Sequence, residues 1–166
     1  MRSEKMDSLT HIVLGGVIGE AVLGKKIGKK AIFWGAFANT LPDFDVILNP
    51  LFHPIDALMF HRGITHSFLF CFLAAPLLGM LFEKIYKNEA ADWKDWALMF
   101  FLGLLTHILL DSLTTYGTGL FEPFSHHRII FNTIFIIDPF YTLPMLISFT
   151  ALLILRRDST KRKLWN

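Results

Sequence analysis

Residues 96–113, WALMFFLGLLTHILLDSL, decide how this chain is read. The stretch approaches the ~20 apolar residues that a helix needs to cross a hydrocarbon layer. It nevertheless carries His107 and Asp111 near its end. Four residues apart on a helix, the imidazole and the carboxylate share one face. In so apolar a setting each is costly unless they bind something together, either each other or one or two metal ions.

Outward from this stretch the same texture recurs. Apolar segments cover residues 9–23, 31–41, 64–82, 96–113 and 140–155. The chain has 166 residues, 53% of them hydrophobic, with 17 Phe and a mean hydropathy of +0.47, too apolar for an ordinary soluble domain and too short for several domains. The expected fold is therefore all-α, a polytopic membrane bundle of about five hydrophobic segments forming a single unit over 1–166. The first two segments are short, and Leu41-Pro42 marks where the second would stop or bend. Gly15 and Gly19 leave room for another helix to approach the first closely. Glu20 interrupts the first segment and no A-x-A site follows it, so a cleaved signal peptide is not expected.

Charge sets an orientation. With five crossings, the loops 24–30 and 83–95 and the C-terminal tail hold twelve Lys and Arg, and the opposite side holds Arg2, Lys5, Arg62 and Arg128. The positive-inside rule then puts the C-terminus in the cytoplasm and the N-terminus outside, in a multi-pass inner-membrane protein. All seven histidines, which took no part in that count, fall towards the outer side. A net charge of +2 without a basic face suggests no nucleic-acid partner. The single Cys71, inside FLFCFLAAP, provides neither a disulfide nor a thiolate metal site.

Thr-His pairs recur in SLTHIVLG and GITHSFLF, placing His11 and His66 in apolar runs as well. In NTLPDFDVI, Asp43 and Asp45 flank Phe44 just past a Pro-marked helix end, which presents carboxylates to a cation. His11, Asp43, Asp45, His66, His107 and Asp111 exceed the four ligands of one tetrahedral zinc, so two ions, or one ion with outer carboxylates, would use the surplus. Zinc is favoured, and imidazole with carboxylate also suits manganese or iron. A cation so held activates water and polarises an ester or phosphoester. Asp45 can accept the proton; His61 and Arg62 complete the expected catalytic set, and Arg62 and Arg128 can clamp an anionic substrate group. Each also has a plainer reading: His61 as a surface histidine, the arginines as headgroup contacts, and Asp138 before Pro139 as a helix cap. His53, Asp56, His126 and His127 read as solvated loop residues. Intramembrane imidazoles and carboxylates also build cation or proton pathways, so transport, or metal binding without turnover, competes with hydrolysis.

MDSLTHIVLGGVIGE, GAFANTLPDFDV, HRGITHS, THILLDSLTTYGT and EPFSHHR followed by FIIDPFYTLP together resemble the YdjM-like family of bacterial and archaeal membrane proteins. That family is described as LexA-regulated, membrane-bound, predicted metal-dependent hydrolases. The resemblance runs in order over nearly the whole chain. It implies that His11, Asp43, Asp45, His61, Arg62, His66, His107, Asp111 and Asp138 are its polar signature positions. A weaker similarity is to zinc-dependent phospholipase C and related nucleases, whose ligand order His11, Asp45, His66, His107 and Asp111 would follow. The N-terminal tryptophan ligand and the later H-x-x-x-E pair of those enzymes are missing here. The resemblance implies a membrane lipid or lipid-linked phosphoester as substrate.

Overall fold

The computed structural model describes residues 4–51, 62–115, 117–133 and 139–154. Five α-helices make up most of them: α1 (Glu4–Ile27), α2 (Lys30–Thr40), α3 (Phe68–Ile85), α4 (Trp93–Ser112) and α5 (Pro139–Ile154). Short 3-10 helices cover Pro42–Leu51 and Ile64–His66. Among the described residues there is no strand, only an isolated pairing of Thr118 with Ile129. The expected all-α fold is observed.

The helix ends follow local chemistry. Gly28, at φ 69°, takes the left-handed conformation that stops α1 and lets α2 turn back along it. The 64–82 segment becomes α-helical only at Phe68, because Ser67 is extended and its Oγ accepts the Phe70 N–H at 3.1 Å. Asp92 and Asp95 form a reciprocal capping box that starts α4 before its apolar run.

Two antiparallel hairpins, α1–α2 and α3–α4, pack through α4, and α5 lies against α1. The first hairpin is a backbone-on-backbone contact: a Cβ on Gly19 would lie 2.0 Å from Ala31 O, and one on Gly35 2.2 Å from Gly15 O. The second closes similarly at Gly79, where a Cβ would meet Trp93 O at 2.5 Å. Small residues at such crossings let helices approach without an aqueous driving force. The buried stripe of α4 descends through Trp96, Phe100, Gly103, Leu104, His107, Ile108 and Asp111. The core face of this helix thus turns polar in its last turn.

Of the five segments expected to cross, α3 and α4 are long and apolar enough. At 11 residues α2 reaches about 17 Å, short of the ~30 Å core. The 24 residues of α1 would suffice in length, but they include Glu20, Lys25 and Lys26. Of α5, 16 residues are described. On α3, Phe72, Leu77 and Ile85 are about 60% exposed, an apolar outer face that suits lipid rather than water. At one end of the hairpins Lys26 pairs with Asp95, and Lys30 with Glu89 at 2.6 Å. The histidines of α1 and α4 lie towards the other end.

Candidate metal centre

Five parts of the chain deliver the polar cluster. His107 and Asp111 descend the buried stripe of α4, His11 and Thr10 lie on the buried face of α1, and Asn39 is in the last turn of α2. Asp43 and Asp45 follow on the 3-10 helix that Pro42 begins, and Arg62 and His66 come from the segment leading into α3. One donor atom each from Asp43, His66, His107 and Asp111 lies within 4.8 Å of the others. Asp43 is half-buried and the other three are buried.

Hydrogen-bond partners fix which ring nitrogens face this point. His107 Nδ1 is 2.5 Å from the Asn39 carbonyl, an acceptor only, so Nδ1 carries a proton and Nε2 is bare in the neutral ring. Thr65 Oγ1 donates to Asp45 Oδ2 at 2.9 Å and therefore accepts from His66 Nδ1 at 3.0 Å. His66 Nε2 is thereby also bare, and it faces His107 Nε2 at 3.2 Å. Two opposed lone pairs at that distance repel unless positive charge lies between them.

The carboxylates make the same demand. Asp111 Oδ2 is buried and makes no hydrogen bond. It stands 3.4 Å from His66 Nε2 and 3.6 Å from His107 Nε2. Asp43 Oδ1 approaches the two rings at 3.5 and 3.4 Å. Asp43, Asp45 and Asp111 against Arg62 leave an excess of two negative charges, which one divalent ion balances. Two imidazole nitrogens and two carboxylate oxygens form a donor set that fits zinc.

The remaining expected residues separate into places. His11 Nε2 meets the other oxygen of Asp111, Oδ1, at 3.3 Å, while its ring stacks on His107 with centroids 3.9 Å apart. Asp45 stands behind His66: its Oδ2 receives Thr65 Oγ1, the Arg62 N–H at 3.3 Å and the approach of His66 Nδ1 at 3.6 Å. Arg62 is buried with φ 62°, its Nε 3.4 Å from Asp111 Oδ2 and its Nη1 donating to Thr114 at 3.1 Å. A non-glycine residue in that conformation stores backbone strain, a feature concentrated at functional sites. Arg128 is half-exposed beside the Thr118–Ile129 pairing and is not among the buried polar residues of the cluster. His126 is exposed and contacts Glu122 at 2.9 Å. His61 and Asp138, like His53 and Asp56, lie outside the described residues.

Asn39 escaped the reading from sequence. It is fully buried, its Oδ1 3.2 Å from His11 Nδ1 and its Nδ2 donating to Thr106 Oγ1 at 2.9 Å. The available signal was the one used for the histidines, a polar side chain in an apolar helical run.

Outer partners of metal-bound histidines typically change affinity about 10–100-fold. Asp45→Asn is accordingly expected to weaken zinc binding by about one to two orders of magnitude while leaving it measurable by chelator competition. A loss as complete as that from removing His107 would instead make Asp45 a ligand.

An all-helical bundle with a buried histidine and aspartate cluster at the ends of its two candidate spans defines a class of membrane protein with a centre that could hold a metal ion. The chain belongs to the YdjM inner membrane protein family, whose model matches residues 6–166. It is 34% identical over 122 residues to the inner membrane protein YbcI of Escherichia coli (strain K12), covering 72% of this chain and 69% of that one. It is 30% identical over 142 residues to the uncharacterized protein YfhP of Bacillus subtilis (strain 168), covering 81% of this chain but 42% of the relative. No solved structure matches.

Proposed function

We propose that this protein is a membrane-bound, metal-dependent hydrolase that cleaves an ester or phosphoester of a lipid-like substrate. The observation that carries the reading is the opposition of His66 Nε2 and His107 Nε2 at 3.2 Å beside the buried Asp111 Oδ2, which makes no hydrogen bond and meets Arg62 Nε at 3.4 Å. Asp43, His66, His107 and Asp111 hold the ion, zinc by preference. A zinc stoichiometry of two would assign the second ion to His11 and Asp111 Oδ1. When bound, the ion supplies a Lewis acid and a water of lowered pKa.

The chain's own groups do the rest. Asp45, through Thr65, keeps the His66 proton on Nδ1 and turns Nε2 inward, a positioning role that its contacts favour over that of a base. Arg62, tied to Thr114 and Asp111, presents a guanidinium where an anionic substrate group meets the ion. Arg128, His61 and Asp138 are assigned to the outer surroundings of the site, Arg128 as a second contact for an anion.

Support for a lipid substrate comes from location. His66 immediately precedes the start of α3 and Asp111 lies in the last turn of α4, which places the centre where both candidate spans end. Beside it, Phe44, Ile47 and Ile64 are exposed apolar residues. The remaining proposals are a single unit over 1–166, five membrane-embedded segments and a C-terminus in the cytoplasm, which sets the site towards the extracytoplasmic boundary.

The competing reading, a cation or proton transporter, draws on Glu20, buried in α1 on the far side of the Gly15–Gly19 crossing from His11. Protein in detergent, offered a panel of phospholipids and phosphodiesters with and without zinc, is expected to release product only with zinc, and Arg62→Lys is expected to slow turnover at least about tenfold by losing the planar fork. The same protein in liposomes is expected to pass no cations. Flux without hydrolysis would replace the enzyme by a transporter. Tight zinc with neither outcome would leave a metal-binding scaffold.

A further inference from the structure

Asn39 touches two histidines by two different acceptors. Its backbone carbonyl takes the proton of His107 Nδ1 at 2.5 Å, and its side-chain Oδ1 faces His11 Nδ1 at 3.2 Å. A carboxamide can turn over and offer N–H instead, but here its orientation is set from behind. Thr106 Oγ1 spends its own proton on the carbonyl of Leu102 at 2.7 Å and so accepts from Asn39 Nδ2. The end of the amide that faces His11 is therefore the oxygen, and His11 Nδ1 is a donor.

The consequence reaches the centre. With both Nδ1 atoms bound to Asn39, both Nε2 atoms turn towards carboxylates, His11 to Asp111 Oδ1 at 3.3 Å and His107 to Asp43 Oδ1 at 3.4 Å. The stacked rings are thus held in one sense by one residue at the end of α2. We propose that Asn39 is a positioning residue that sets the proton-bearing nitrogen of His11 and His107 together, its side chain governing the first and its backbone the second. This assignment rests on the metal reading only for its affinity readout.

The two acceptors make the test selective, because substitution removes the side-chain oxygen and keeps the backbone one. Long-range proton–nitrogen correlation spectra of ¹⁵N-histidine-labelled protein in detergent, with resonances assigned by His11→Ala and His107→Ala, are expected to find both rings protonated at Nδ1. In Asn39→Leu, His11 should lose that signature and His107 should keep it. In Asn39→Asp, which restores an oxygen, His11 should regain it. Zinc affinity, read by chelator competition, should fall about 10–100-fold in Asn39→Leu and recover in Asn39→Asp. Thr106→Val, which frees the amide to turn over without altering Asn39, is expected to weaken the His11 signature alone, and serves if Asn39→Leu does not fold. A His11 protonated only at Nε2 in the parent, or one unchanged in both Asn39→Leu and Thr106→Val, overturns the inference. A parent that shows the two signatures but takes up no zinc overturns the metal reading and leaves the positioning role standing.

Discussion

His107→Ala is expected to lower zinc affinity by more than about a hundredfold, beyond the range typical of outer-partner substitutions. The ring supplies one of the two imidazole nitrogens at the centre and is the partner on which His11 stacks. Removing it leaves Asp43 Oδ1 and Asp111 Oδ2 with a single imidazole nitrogen, His66 Nε2, in the four-residue group. It also removes the donor to the Asn39 carbonyl, leaving that acceptor to seek water in a buried position. Asp111→Ala is expected to be at least as damaging, since its two oxygens meet His11, His66, His107 and Arg62. Chelator competition on detergent-purified protein reads the loss. Parent-like zinc affinity in both variants would remove these residues from the centre.

The second large effect is expected far from any ligand. Gly19→Leu would force a side chain to where Ala31 O already lies 2.0 Å from a Cβ, and Gly35→Leu would do so 2.2 Å from Gly15 O. These obstacles are backbone atoms, which cannot change rotamer, so the hairpin must part. Overpacking typically costs about 1–3 kcal/mol, and a contact with no side chain to yield belongs at or above the upper end. Because α1 carries His11 and α2 carries Asn39, opening the hairpin separates two members of the cluster. Both thermal stability and zinc affinity should drop together. Leu77→Ala, on the exposed face of α3, should alter neither by comparable amounts. A Gly19→Leu protein with parent stability and parent affinity would refute the close crossing.

The fold class and much of the cluster are legible in the sequence because both follow from short-range rules. The i, i+4 spacing of His107 and Asp111 puts them on one helical face before any tertiary contact is known, and the pattern of Trp96, Phe100, Gly103 and Leu104 makes that face the buried one. Pro42 marks the end of α2 and presents Asp43 and Asp45 nearby. The division of labour between those carboxylates is not local: Asp43 turns to the two rings, while Asp45 is claimed by Thr65 and the Arg62 N–H from about twenty residues further along the chain. Among the described residues two of the expected segments, α3 and α4, form clear candidate spans, whereas α2 is cut short by Pro42 and α1 carries a buried carboxylate. Asn39 was missed because an amide in an apolar run draws less notice than an imidazole, although the cost of burying it unpaired is of the same kind.

The most direct test is X-ray absorption at the zinc edge of metal-loaded protein in detergent. The account predicts a first shell of nitrogen and oxygen at about 2.0–2.1 Å, with the outer scattering of two imidazoles and no sulfur near 2.3 Å. Loss of one imidazole contribution in His66→Ala would tie the signal to this centre. A shell of oxygen alone, or one unchanged when His66 is removed, would contradict it.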